Sequence, residues 1–151
     1  MLLHLQHTGT WPTDTRRWQD AIEEAESKKI IVSRGASVHG LPALRRVPGN
    51  KWLNIAMIRV NHKGKSMDAE DYATQGFGNV PEVVEHVKEV RKEGMGVISM
   101  KLAGEGTFNR EDRQEAMKFA FRNAGVDCVT VGYKSTAEID EAIENVNAAL
   151  A

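Results

Sequence analysis

The sequence predicts an α/β fold in which about five parallel strands are covered by outer helices. Three observations carry this. Short apolar runs alternate with longer amphipathic ones along all 151 residues. The short runs are β-branched and largely unalternated, the pattern of strands buried on both faces. Successive runs lie roughly 25–40 residues apart, the size of β/α units, and strand-helix-strand order implies right-handed crossovers and a parallel sheet.

Each element has its own justification. Leu2 to Leu5 (LLHL) is the end of a first strand. Thr15 to Lys28 fits a helix, with Trp18, Ile22 and Ala25 at helical spacing. IIVSRGAS predicts a second strand from Ile30, and a short helix follows around Leu41 to Val47. The third strand is Leu53 to Asn61, and the long loop after it suggests function rather than mere connection. A helix from Pro81 to Lys92 sets Val83, Val84, Val87 and Val90 on one side, with Pro81 suited to the first turn and Gly94 to the stop. Gly96 to Leu102 is the fourth strand. Asn109 caps a helix ending before Gly125, and Val126 to Gly132 is the fifth strand. Ser135 to Glu138 reads as a capping box for the last helix. No composition break separates these units, so residues 1–151 are expected to form one domain.

Composition narrows the function classes. Twenty basic and 21 acidic residues leave a net charge of −1, which offers no broad field for nucleic acid or an anionic membrane. No apolar run is long enough to span a bilayer. One cysteine, Cys128, excludes an internal disulfide, and the start MLLHLQHTG has neither the basic nor the apolar region of a leader. The expected location is cytoplasmic.

Polar residues collect at the carboxyl ends of the strands, where parallel α/β folds place their chemistry. They are His4 and His7, then Ser37 and His39, then Arg59, Asn61 and His62, then Lys101 and Gly104 to Gly106, then Gly132 to Ser135. Glycine loops and helix starts on one rim offer N–H groups to an anion, so a phosphate-bearing ligand suits it. Plain structural readings stand beside this one. His7 and His62 suit solvated loops, His4 a hydrogen-bonded core position, Ser135 a helix cap, the glycines a turn, and Trp11 and Trp18 a packing role.

These segments resemble the aldo/keto reductases. LLH followed by a loop with Trp11-Pro12 resembles that family's fourth barrel strand, Gly35 to Gly40 (GASVHG) its fifth, and Arg59 to Asn61 (RVN) the end of its sixth. Glu89 to Gly106 is similar to the seventh-strand segment of one bacterial branch, and Val126 to Ile143 to the eighth strand and its helix. The resemblance spans nearly the whole chain, and its last two segments are the most specific.

The resemblance implies a partial (β/α)8 TIM barrel, running from the fourth strand onward, of an NAD(P)H-dependent oxidoreductase acting on a small-molecule carbonyl. His4 matches the histidine that orients the carbonyl, and Ser37 a residue near the nicotinamide carboxamide. Gly104 and Gly106 match the region near the pyrophosphate, and Lys134 and Ser135 positions near the adenosine phosphate of NADP(H). NADPH is therefore expected ahead of NADH. Met57 stands where many members carry glutamine, and Ala142 where an asparagine is frequent. The family's catalytic aspartate, tyrosine and lysine precede the strand where this chain begins, so no turnover is expected from the chain alone. Of its two tyrosines, Tyr72 belongs to the long loop and Tyr133 to the strand edge opposite His4. Five strands cannot close an eight-stranded barrel, so a homodimer or a complementing half-barrel is expected. Two other readings remain. One is a non-catalytic nucleotide-binding or assembly half-barrel. The other is a metal-dependent hydrolase or isomerase using the strand-end histidines with Asp68 and Glu105, although no H-x-H or H-x-x-x-H spacing occurs.

Overall fold

The computed structural model describes residues 1–71 and 76–151. Tyr72 therefore lies outside the described residues. Five strands form one all-parallel sheet in sequence order. They are β1 (Leu2–Gln6), β2 (Gly35–Val38), β3 (Ile55–Arg59), β4 (Gly96–Met100) and β5 (Cys128–Val129). The helices are α1 (Trp11–Asp14), α2 (Arg16–Ser27), α3 (Leu41–Leu44), α4 (Val80–Lys92), α5 (Arg110–Lys118) and α6 (Thr136–Leu150). The sheet is open, with β1 and β5 at its edges.

Alternation along the central strands sorts the two faces. Ala56 and Ile58 of β3, and Val97 and Ser99 of β4, are fully buried, and they belong to the layer shared with the helices. Ile55, Met57 and Ile98 alternate with them and are only half-buried. The second face of the sheet is thus a partly exposed apolar wall, the side that a closed barrel would fill with side chains.

Helix ends follow local chemistry. Pro81 occupies the first turn of α4, and the Asn79 side chain accepts from the Glu82 N–H. Asn109 caps α5 by accepting from the Asp112 N–H at 2.8 Å. The helix continues as a π-type segment over Phe119–Ala124 and stops at Gly125, whose φ of 79° is left-handed.

Three expectations need correction. The second strand starts at Gly35, not Ile30. Lys29 takes φ 58° at the end of α2, and Ile30 and Val32 are 72% and 98% exposed in the connection that follows. The apolar run Ile30 to Val32 lies in this connection and not in the ladder. Trp18 is 63% exposed, and Gln19 takes the inward position instead, donating to Pro12 O at 2.7 Å and Thr15 Oγ1 at 3.0 Å. Helix α2 follows β1, an edge strand of the sheet. The fifth strand is two residues long rather than seven, although Asp127 and Thr130 extend its ladder by donating to Val97 O and Ser99 O. As an edge strand it pairs on one side only. Trp11 keeps its packing role, buried with its indole N–H donating to Ala43 O at 3.2 Å. No helix among the described residues is long and apolar enough to cross a membrane.

Candidate functional site

The parallel register assembles one cluster at the carboxyl ends of β1, β2 and β3. Ser37 pairs with Met57, so two residues further along each strand His39 and Arg59 become neighbours. Arg59 Nη2 contacts His39 Nδ1, and His39 Nε2 lies 3.0 Å from Ser37 Oγ. A guanidinium only donates. His39 Nδ1 is therefore the acceptor, the proton sits on Nε2, and Ser37 Oγ accepts it. The Ser37 hydroxyl keeps its own proton, and its nearest acceptor is the weak Met100 sulfur at 3.9 Å. Ser37 itself is buried, 1% exposed. The ring of His4 stands edge-on to that of His39, with centroids 5.5 Å apart. His4 itself is exposed on the strand edge rather than a buried core histidine.

Behind the cluster lies Asp68, fully buried in the loop after β3. Its Oδ1 accepts the Gly40 N–H at 2.6 Å and lies 3.8 Å from Arg59 Nε. Burial pushes the Asp68 carboxyl up to about 6, with the Gly40 N–H and Arg59 pulling it back. Burial, then Arg59, lowers His39 to about 4, which keeps the ring neutral near pH 7. Unfolded histidine titrates near 6.5, so the unfolded chain binds more protons between those values. The His39 contribution to stability is complete above pH 6.5 and falls as pH drops towards 4. Unfolding measured from pH 7.5 to 4.5 is expected to show the wild type losing on the order of 1–3 kcal/mol relative to His39→Gln over this window. Parallel curves for the two proteins would exclude the neutral, Arg59-bound ring.

The rim is also where the backbone departs from ordinary geometry. Leu5 near the end of β1, and Ser66, Lys101 and Glu105 in the loops after β3 and β4, all adopt left-handed φ between 54° and 59°. Three of these residues are tied together, because Glu105 bonds Lys101 through one carboxylate oxygen and the Ser66 hydroxyl through the other at 2.9 Å. The Lys101 ammonium, then Ser66, hold the Glu105 carboxyl below its usual range.

A second region lies at the ends of β4 and β5. A cleft there is lined by Leu102, Gly106, Phe108, Arg113, Met117, Val131, Tyr133, Lys134, Glu138, Glu141 and Asn145, among others. Of the residues expected near a cofactor, Gly106 and Lys134 border it. Gly104 serves packing, since a Cβ there would sit 2.5 Å from the Phe108 ring. The Gly104 and Gly106 N–H groups donate to Lys101 O and Ala103 O, so neither is presented to an anion. Ser135 is the α6 cap, accepting from the Glu138 N–H at 3.3 Å. The Glu138 carboxylate accepts the Lys134 N–H at 2.7 Å, one residue before the position a capping box predicts. The two regions are bridged by the Lys101–Gly106 loop, whose Lys101 charge reaches His39 and whose Gly106 borders the cleft.

Sequence reasoning placed Arg59 and His39 at strand ends but not in the site. The signal was period two, since Ser37 and His39 must share a face, but their meeting with Arg59 depends on register. His7 touches Leu5 O at 3.3 Å, and His62 lies edge-on to Phe108 with Asp112 at 3.9 Å, so His62 packs rather than being solvated. Among the described residues no three histidine, cysteine or acidic side chains converge. Compared with models of protein families, the chain matches none, and it matches no curated protein.

Proposed function

We propose that this chain carries the carbonyl-orienting and dinucleotide-binding wall of an NAD(P)H-dependent carbonyl oxidoreductase built on a barrel. The observation that carries the reading is the His4–His39–Ser37–Arg59 cluster on the same rim as the β4–β5 cleft. A reduced nicotinamide would supply hydride to a carbonyl carbon. His4, exposed at the mouth, hydrogen-bonds the carbonyl oxygen and orients it. Ser37, held by His39, turns its hydroxyl proton from the weak Met100 sulfur to the nicotinamide carboxamide. The half-buried wall of Ile55, Met57 and Ile98 excludes water beneath the reacting groups.

Proton delivery needs a donor within roughly 3 Å of the carbonyl oxygen. Tyr133 follows the opposite edge strand from His4, so it does not serve that role within one chain. The exposed apolar residues support a completing partner. Leu5, Trp18, Ile30 and Val32 belong to the β1 side, and Tyr133, Ile139, Ile143 and Leu150 to the β5 side. The partner is a second copy or a complementing β/α half. An assembly module without catalysis is the competing reading, favoured by the same two edges.

The experiment separates binding from turnover. Titration with NADH and NADPH, followed by nucleotide fluorescence, is expected to show saturable binding that weakens in Ser37→Ala. Oxidation of either dinucleotide with aldehydes and ketones is expected to be absent for the chain alone. No saturable binding of either dinucleotide would sink the oxidoreductase reading and leave the assembly module.

A further inference from the structure

The open sheet ends in two helix flanks that suit each other. We infer that the completing partner is a second copy of this chain, joined head to tail, with β5 and α6 of one copy against β1 and α2 of the other. The inference rests on the partner required by the reading above and names it.

On α6 the inward residue is Asn145. The helix meets α5 through the residues four and one before it, since Glu141 bonds Arg113 at 2.8 Å and Glu144 lies 3.7 Å from Arg110. The opposite flank carries Ile139, Ile143 and Leu150, which are 44%, 55% and 65% exposed, with the partly buried Val146 beneath them. A following β/α unit would cover this flank with its helix. On α2 the inward residue is Ile22. Helices of one right-handed parallel layer share an orientation, so α2 turns towards a preceding helix the residues four and one before Ile22. These are Trp18, 63% exposed, and Ala21, also exposed, with Ala25 one turn further along the same stripe. One flank is built for a follower and the other for a predecessor, which is the condition for a head-to-tail joint.

The two flanks also match in shape and charge. Ala21 and Ala25 leave a groove beside the bulky Trp18 for the branched side chains of α6. Helix α6 carries Glu138, Asp140, Glu141 and Glu144 and neither lysine nor arginine, and Arg17 is exposed at the outer border of the α2 stripe. The area agrees. The chain exposes 8280 Å², where a compact monomer of this mass exposes about 7,600 Å². The excess of about 700 Å² approaches the roughly 800 Å² that each partner gives to a standard interface. The same joint pairs the free edges of β5 and β1. Made twice about a two-fold axis, it leaves no edge open and encloses the wall of Ile55, Met57 and Ile98. Cys128 is exposed and in register with Ile98, so it reports on that closure.

The test is sedimentation of the full chain at micromolar concentration, with no ligand, and a dimer is expected. Trp18→Glu and Ile143→Lys, both at exposed positions, should each weaken it about tenfold, with urea midpoints showing that both variants fold. Mixing the two variants is the discriminating arm. A mixed dimer has one unaltered joint and one that sets glutamate against lysine, so association should return to within about threefold of wild type. Thiol labelling of Cys128 should be about tenfold slower in the dimer than in monomeric Trp18→Glu. A monomeric wild type, or a ring larger than two, would overturn the inference and leave the dinucleotide reading to its own titration. A dimer insensitive to Trp18→Glu, or mixed variants no tighter than either alone, would overturn the head-to-tail joint. Equal labelling rates would overturn the enclosed wall. A dimer that behaves as expected but binds neither dinucleotide would uphold the inference and sink the oxidoreductase reading alone.

Discussion

Replacing Gly35 with alanine is expected to destabilise the protein by at least about 3 kcal/mol. The reason is steric. A Cβ on Gly35 would lie 2.1 Å from Ile55 O, 2.9 Å from Ile55 C and 2.7 Å from Leu2 Cδ2. The first two are backbone atoms of the neighbouring strand, which cannot swing aside as a side chain can. Relief requires β2 to move away from β3 at the register position Gly35↔Ile55, where the third strand of this junction, β1, also pairs through Leu2. Gly96 provides an internal control, because it flanks Ile55 from the other side. Its added Cβ would meet Ile55 Cγ1 at 3.6 Å and Asn54 O at 3.7 Å, which is ordinary contact. Gly96→Ala should therefore cost less than about 1 kcal/mol. Urea unfolding of the three proteins checks both values. Similar midpoints for Gly35→Ala and Gly96→Ala would refute the close approach.

Asp68→Ala should cost about 3–5 kcal/mol, the range for breaking a buried charge pair from one side. The substitution strips the Gly40 N–H of its acceptor and takes from Arg59 its neighbouring carboxylate. Gly40 has φ 109° at the entry to α3, so this turn cannot readily rearrange to find another acceptor. Asp68→Asn keeps an acceptor oxygen and should cost less. Its comparison with wild type also carries a pH signature. The folded Asp68 is raised from 3.8 to about 6, so the native chain binds more protons between those values. Its titration contributes stability that is full below pH 3.8 and lost as pH rises through 6. The wild type should gain on Asp68→Asn as pH falls from 7 to 4, by on the order of 1–3 kcal/mol. This runs opposite to His39 over nearly the same window, so the wild-type curve should be flatter than either variant's. Thermal or urea unfolding at fixed pH steps reads all three slopes. A fall relative to Asp68→Asn on acidification would contradict the buried carboxyl.

Much of the architecture was legible because local periodicity reports it directly. The Val83, Val87 and Val90 stripe with Pro81 ahead of it marked α4 to within one residue at its start. The Ile55–Arg59 and Gly96–Met100 strands lay inside their expected runs, since central strands buried on one face and half-buried on the other leave few polar interruptions. The misread elements lie where neighbours are missing. Ile30 to Val32 are apolar without being in the sheet, and Trp18 is exposed on the helix that follows the edge strand β1. Apolar pattern predicts burial only when a neighbour exists to bury against, and that information is not local.

By itself, the sequence determined the β/α order, the parallel sheet, the main helix caps at Asn109 and Ser135, and the rim on which chemistry could gather. Those follow from hydrogen-bonding and hydrophobic patterns within a few residues of each other. Only the tertiary structure decided which rim residues meet. Register set Arg59 beside His39 and so fixed which His39 nitrogen carries the proton. Burial of Asp68 behind them set their opposed titrations. The fold of the α6 entry gave the Lys134 N–H to the Glu138 carboxylate. Charges and hydrogen-bond donors are spent on whichever groups packing brings near, and that choice is made between segments as far apart as Ser37 and Met100.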